Sequence, residues 1–98
     1  MVTAVVLINA ERSAINDLAA TLPDLDGISE VYSVGGRYDL VAVIRAKSNE
    51  ELAELVTKRM IGLKGIIKTE TLIAFRAYSR HDLEALFSLG ESSPARHK

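Results

Sequence analysis

Residues 2–8 form an almost unbroken aliphatic run, and residues 40–44 form a second. Short runs of this kind, rich in valine and isoleucine, predict strands covered on both faces. Between them the period changes. Ile15, Leu18, Ala19 and Leu22 recur at helical spacing, with Asn16, Asp17 and Ala20 in the other positions, and Pro23 marks the end of that helix. Asp24-Leu25-Asp26-Gly27 is a turn cluster. Residues 28–34 alternate in part, Tyr32 and Val34 to one side and Val31 to the other, until Gly35-Gly36 interrupts them.

A second helix is announced by Ser48-Asn49-Glu50-Glu51, in which Ser48 and Glu51 have the spacing of a capping box. Leu52, Leu55, Val56 and Met60 supply its apolar stripe, and Gly62 and Gly65 bracket its exit. A last strand is expected over about residues 66–77. Strand alternation puts Ile67, Thr69, Thr71, Ile73, Phe75 and Ala77 on one face and Lys68, Glu70, Leu72, Ala74 and Arg76 on the other. Leu83, Leu86 and Phe87 predict a short helix over 81–89, and residues 90–98 have no periodicity.

The order β-α-β-β-α-β is that of a ferredoxin-like α+β sandwich. Right-handed crossovers place both helices on one face of the antiparallel sheet, with the first and third strands central. Those are the two continuous apolar runs, so the face away from the helices also needs cover, and a chain this short has no spare layer. A second copy packed sheet to sheet, as a homodimer of the dimeric α+β barrel type, is the economical answer. Tyr32 and Phe75 are candidates for that interface.

The 98 residues suffice for one domain, expected at 1–78, followed by a helical appendage at 79–90 and a disordered tail at 91–98. With 48% hydrophobic and 26% charged residues the composition is globular. A net charge of -1 without a basic stripe argues against direct binding of nucleic acid. Cysteine is absent, which excludes disulfides, thiol catalysis and thiolate-ligated metals. No basic leader and no run near the roughly 20 apolar residues of a membrane span is visible, so a cytoplasmic protein is expected, with no membrane partner.

Catalytic constellations are thin. His81 and His97 are the only histidines, His81 at a helix entry between Arg80 and Asp82, where capping is the ordinary role. No cluster has metal-ligand spacing, and Gly35-Gly36 is followed by neither a helix nor Lys-Ser/Thr, so it is not a phosphate loop. No cofactor is implied. The segment Gly35-Gly36-Arg37-Tyr38-Asp39 has two readings. The glycines can serve a hairpin turn, with Asp39 capping it. Alternatively, their unobstructed amides can meet a ligand carboxylate while Asp39 holds an ammonium group. An α-amino acid presents both groups on one carbon, with Val34 and Tyr38 bordering its side chain. Thr69 and Thr71, on an apolar strand face, need partners for their hydroxyls either in a neighbouring strand or in a ligand.

Taken in order, Val31-Tyr32-Ser33-Val34-Gly35-Gly36-Arg37-Tyr38-Asp39-Leu40, the capped helix, and Leu63-Lys64-Gly65-Ile66-Ile67-Lys68-Thr69-Glu70-Thr71-Leu72-Ile73 resemble the C-terminal effector-binding (RAM) domain of the Lrp/AsnC family. The resemblance covers residues 1–78. Leu63-Lys64-Gly65 departs from the family's usual Leu-Pro-Gly. The resemblance implies an effector pocket drawn from Tyr32, Val34, Gly35, Gly36, Arg37, Tyr38, Asp39, Thr69, Glu70 and Thr71. It further implies pockets formed where dimers meet in larger rings, commonly octamers, so that effector binding and assembly are linked. Full-length members carry an N-terminal helix-turn-helix domain, whereas this chain starts at the first sensing strand. The expectation is a stand-alone amino-acid-binding module, without DNA binding or catalysis of its own, that regulates transcription by co-assembly with a full-length Lrp/AsnC regulator. The alternatives are a small dimeric enzyme of the monooxygenase or isomerase type, which the scarcity of aromatics (5%) and the peripheral histidines disfavour, and a pure assembly protein.

Overall fold

The two aliphatic runs become the two central strands. In the computed structural model, which describes residues 1–78 and 80, four antiparallel strands pair in the order β2-β3-β1-β4. They are β1 (Val2–Ala10), β2 (Ile28–Ser33), β3 (Leu40–Ala46) and β4 (Ile66–Ile73), with helix α1 (Ile15–Thr21) between β1 and β2 and helix α2 (Asn49–Glu54) between β3 and β4. This is the expected ferredoxin-like α+β order. The terminal helix and tail expected over 81–98, with both histidines, lie outside the described residues. No helix among the described residues is long and apolar enough to cross a membrane.

Alternation along the central strands sorts their side chains. Ala4, Val6, Ile8 and Ala10 of β1 and Leu40, Ala42, Ile44 and Ala46 of β3 face the helices and are buried. Leu18 and Leu22 from the first helical segment and Leu52, Leu55 and Met60 from the second close this core. Each large side chain withdrawn from water here contributes about 1.5–3 kcal/mol. The intervening residues Val5, Leu7, Val41 and Val43 lie on the opposite face and are partly exposed. Among the described residues no element covers that apolar face.

Pairing fixes rows across the sheet. Tyr32 lies beside Val41, Val41 beside Leu7, and Leu7 beside Glu70, all on the open face. The neighbouring row runs Glu30, Val43, Val5 and Leu72. On the helix side, Thr69 lies beside Ile8 and Thr71 beside Val6.

The helices begin as the sequence indicates, with differences at their ends. Ser48 Oγ accepts the Glu51 amide at 3.2 Å, while the Glu51 carboxylate reaches the amide of Lys47 rather than that of Ser48. Past Glu54 the helix widens into a π-helical segment, Leu55–Met60, that still buries Leu55 and Met60 but leaves Val56 only half-buried. Pro23 does not stop α1 outright; it sits at the start of a 3-10 turn, Leu22–Asp24, that continues from it.

β4 is shorter than expected. It ends at Ile73 because its neighbour β1 begins at Val2; after Ile73 pairs with Ala4, one further bond joins the Ala74 amide to the Thr3 carbonyl. Phe75 lies beyond the strand and is almost fully exposed. At the other end a bulge places Lys68 opposite Asn9 and Ile66 opposite Ala10, leaving Ile67 without a counterpart and exposed.

Candidate functional site

The connection between β2 and β3, residues 34–39, is pinned to the end of β1 at two points. Asn9 Nδ2 donates to the Arg37 carbonyl at 2.7 Å. Asp39 is held three ways: its amide donates to the Ile8 carbonyl at 2.9 Å, its carbonyl accepts the Val34 amide at 3.1 Å, and its Oδ2 accepts the Ala10 amide at 2.9 Å. The last bond satisfies a part-buried donor where β1 leaves the sheet, and an ionised acceptor makes it a strong one. One Asp39 oxygen is therefore committed to the fold. Sequence pattern alone does not single out Asn9, although it is one of two polar residues in the otherwise aliphatic span of β1.

Between the pins, Tyr38 points across β1 to β4. Its hydroxyl donates to Glu70 Oε1 at 2.5 Å. The accepting carboxylate stabilises the protonated phenol and pushes its pKa above the ordinary value. On the same face the Glu30 carboxylate pushes the Tyr32 phenol up.

Gly35 and Gly36 are exposed, and a side chain at either would meet no atom within 4 Å. Gly36 has φ +113, a conformation that side chains disfavour, so the turn itself calls for glycine there; Gly35 has no such need. Both peptide groups border open space.

Six of the ten candidate residues fall into two groups, while Val34, Gly35, Gly36 and Arg37 lie along the turn between β2 and β3. The structure brings Tyr38, Asp39 and Glu70 together through the β1 end, and Tyr32 shares the row of Glu70 across the open face. Thr69 and Thr71 flank Glu70 in sequence but project to the helix side, where each is half-buried. Strand alternation separates them from Glu70, and the two sets meet only at the unpaired edge of β4. Two surface concavities lie elsewhere. One, of about 340 Å³, runs between α1 and the 63–65 turn; the other, of about 650 Å³, is bordered by Asp26, Arg45, Lys47, Glu54 and Arg59. Neither includes any of the ten. Among the described residues no group of three or more metal-ligating side chains converges.

The Lrp/AsnC ligand binding domain model matches residues 3–83. The chain belongs to the Lrp/AsnC ligand-binding family. It is 32% identical over 78 residues to the HTH-type transcriptional regulator FL11 of Pyrococcus furiosus, a match over 79% of this chain and 50% of that protein. Against an uncharacterised HTH-type transcriptional regulator of the same organism, PF0250, it is 29% identical over 59 residues, 60% of this chain and 39% of the relative. The chain spans half or less of the length of these curated relatives. Among solved structures it resembles TTHA0845 from Thermus thermophilus, with 48% identity and a TM-score of 0.77 over 82% of this chain and 100% of that one. FFRP-DM1 superposes with a TM-score of 0.74 at 27% identity, over 76% of this chain and all of the other. The domain is thus of a ligand-binding type found in a family of transcriptional regulators.

Proposed function

We propose that this domain binds a free amino acid as a regulatory effector, has no catalytic activity, and acts on transcription by assembling with itself and with full-length regulators of its family rather than by touching DNA. The observation that carries this reading is the composition of the turn: two unobstructed glycines beside a tyrosine and a carboxylate that are tied to the neighbouring strands. Exposed backbone amides suit the α-carboxylate, carboxylates suit the α-ammonium, and the alternation of Tyr38, Val34 and Tyr32 leaves apolar surface for a side chain. The two surface concavities do not include these groups; in this reading a second copy supplies the opposite wall of their pocket. The edge of β4, where the Glu70 side and the Thr69/Thr71 side meet, is where another chain would bring both sets to one ligand.

Assembly has its own support. Val5, Leu7, Val41 and Val43 leave the open face apolar, with Tyr32 50% and Leu72 48% exposed. A sheet-to-sheet homodimer buries this face, and dimers would then join into a ring such as an octamer. An effector held between dimers stabilises the ring, and by linkage the ring tightens the effector.

The experiment is a thermal-shift screen of the purified chain against the proteinogenic amino acids, with light scattering on every hit. A selective rise in melting temperature accompanied by a change in mass supports the reading. A flat screen on a stable oligomer removes the sensing function and leaves an assembly protein.

A further inference from the structure

Three features distinguish the roles of Asp39 in the turn and Glu70 on β4. Asp39 Oδ2 accepts the part-buried Ala10 amide, so turning Asp39 toward a ligand would orphan that donor. Glu70 stands on the exposed edge strand, and its Oε1 accepts the Tyr38 hydroxyl, a neutral donor at the end of a side chain. The backbone on both sides of Tyr38 is fixed independently, Arg37 by Asn9 and Asp39 by Ile8, Val34 and Ala10. The Tyr38 ring can therefore leave Glu70 without disturbing the loop.

We propose that Glu70, rather than Asp39, receives the ammonium group of the effector, and that Tyr38 is an internal stand-in that occupies Glu70 until the effector displaces it. This rests on the amino-acid-binding reading above and assigns the roles within that site. An ammonium pairs with a carboxylate through a charged hydrogen bond, which is stronger than the bond from a neutral phenol, so the exchange runs toward the effector. No proton needs to move: the phenol keeps its own and turns to water or to a partner chain. The stand-in also keeps the Glu70 carboxylate paired in the empty site. Its cost to the effector is the bond that must be broken, so affinity is set below what the bare carboxylate would give.

The test is calorimetric titration of the full chain and of two variants, Tyr38→Phe and Glu70→Gln, with each amino acid that shifts the melting temperature of the unmodified protein and with its α-hydroxy-acid analogue, which lacks the ammonium. Tyr38→Phe is expected to bind the amino acid roughly three- to ten-fold tighter, by release of one hydrogen-bonded competitor. Glu70→Gln is expected to bind it at least about ten-fold more weakly and to lose preference for the amino acid over the hydroxy acid. A second readout needs no variant that must fold. The chain has no tryptophan, so its emission is that of tyrosine. A tyrosine bonded to a carboxylate is quenched, and saturation with the amino acid should raise the emission of the unmodified protein. Unchanged emission on binding, undiminished affinity in Glu70→Gln, or weaker binding by Tyr38→Phe overturns the assignment while leaving the amino-acid reading intact. Failure of the unmodified protein to bind any amino acid overturns both.

Discussion

Asp39 and Ala10 stand 29 residues apart in sequence, and the bond between the carboxylate of one and the amide of the other fastens the β2–β3 turn to the end of β1. An aspartate beside a glycine pair thus acts first as part of the fold. Asp39→Ala leaves the part-buried Ala10 donor without its acceptor, at a cost of about 1–3 kcal/mol. Urea unfolding should show that loss, with Asp39→Asn, which keeps an acceptor, recovering part of it. Equal stability of Asp39→Ala and the unmodified protein would mean that the bond contributes nothing. Any loss of effector binding in Asp39→Ala therefore has to be read beside its stability.

Gly65 and Gly36 separate two reasons for needing glycine. Both have positive φ, +96 and +113. At Gly65 a methyl group would also sit 2.3 Å from the Ala14 side chain, whereas at Gly36 it would meet nothing within 4 Å. Gly36→Ala should cost about 1–2 kcal/mol of backbone strain. Gly65→Ala adds a collision between the turn that precedes β4 and Ala14, just ahead of α1, for a total of about 3 kcal/mol or more. Denaturant midpoints of the two variants should differ in that order; the reverse order would contradict the packing described around Ala14.

Much of this architecture is legible from residue patterns because it depends on local periodicity. The aliphatic runs at 2–8 and 40–44 mark the two central strands, which carry apolar side chains on both faces. Ser48 and Glu51 mark a helix start by their spacing, although the reciprocal bond lands on Lys47. What escapes the sequence depends on contacts between distant segments. Alternation separates Glu70 from Thr69 and Thr71, but which of them faces the helices follows only from the pairing of Thr71 with Val6. The bulge at Ile67 and the early end of β4 are set by where β1 stops. The part Asp39 plays is invisible until Ala10 is beside it, because a ligand carboxylate and a structural one have the same sequence signature. Asn9 reads as an interruption in an apolar strand until the Arg37 carbonyl gives it a purpose.

The Tyr38–Glu70 bond predicts a pH dependence whose sign follows from the raised phenol pKa. In the unfolded chain the phenol titrates near its ordinary 10.0; in the folded chain it titrates higher. The contribution of the bond is fully present below pH 10 and is lost as pH rises through the folded value, because phenolate and carboxylate repel. Ultraviolet titration should find one tyrosine ionising later in the unmodified protein than in Glu70→Gln, while Tyr32, whose carboxylate neighbour is Glu30, titrates alike in both. Coincident curves for the two proteins would show that the carboxylate does not hold the hydroxyl in solution.

The open face of the sheet gives the last prediction. Val5 lies between Val43 and Leu72 in one row of the open face. In a single chain Val5→Glu would leave the new carboxylate in contact with water, at about 1 kcal/mol or less of strand propensity. In a sheet-to-sheet dimer the same carboxylate would be buried opposite apolar side chains with no cation to pair it, and burial of an unpaired charge is far more costly than the contacts it replaces. The variant should therefore remain folded by circular dichroism yet run as a monomer by light scattering, and it should lose any effector-induced increase in mass. A Val5→Glu protein with the same mass as its parent would place the assembly interface on another surface, leaving the apolar rows of β1 and β3 without their proposed cover.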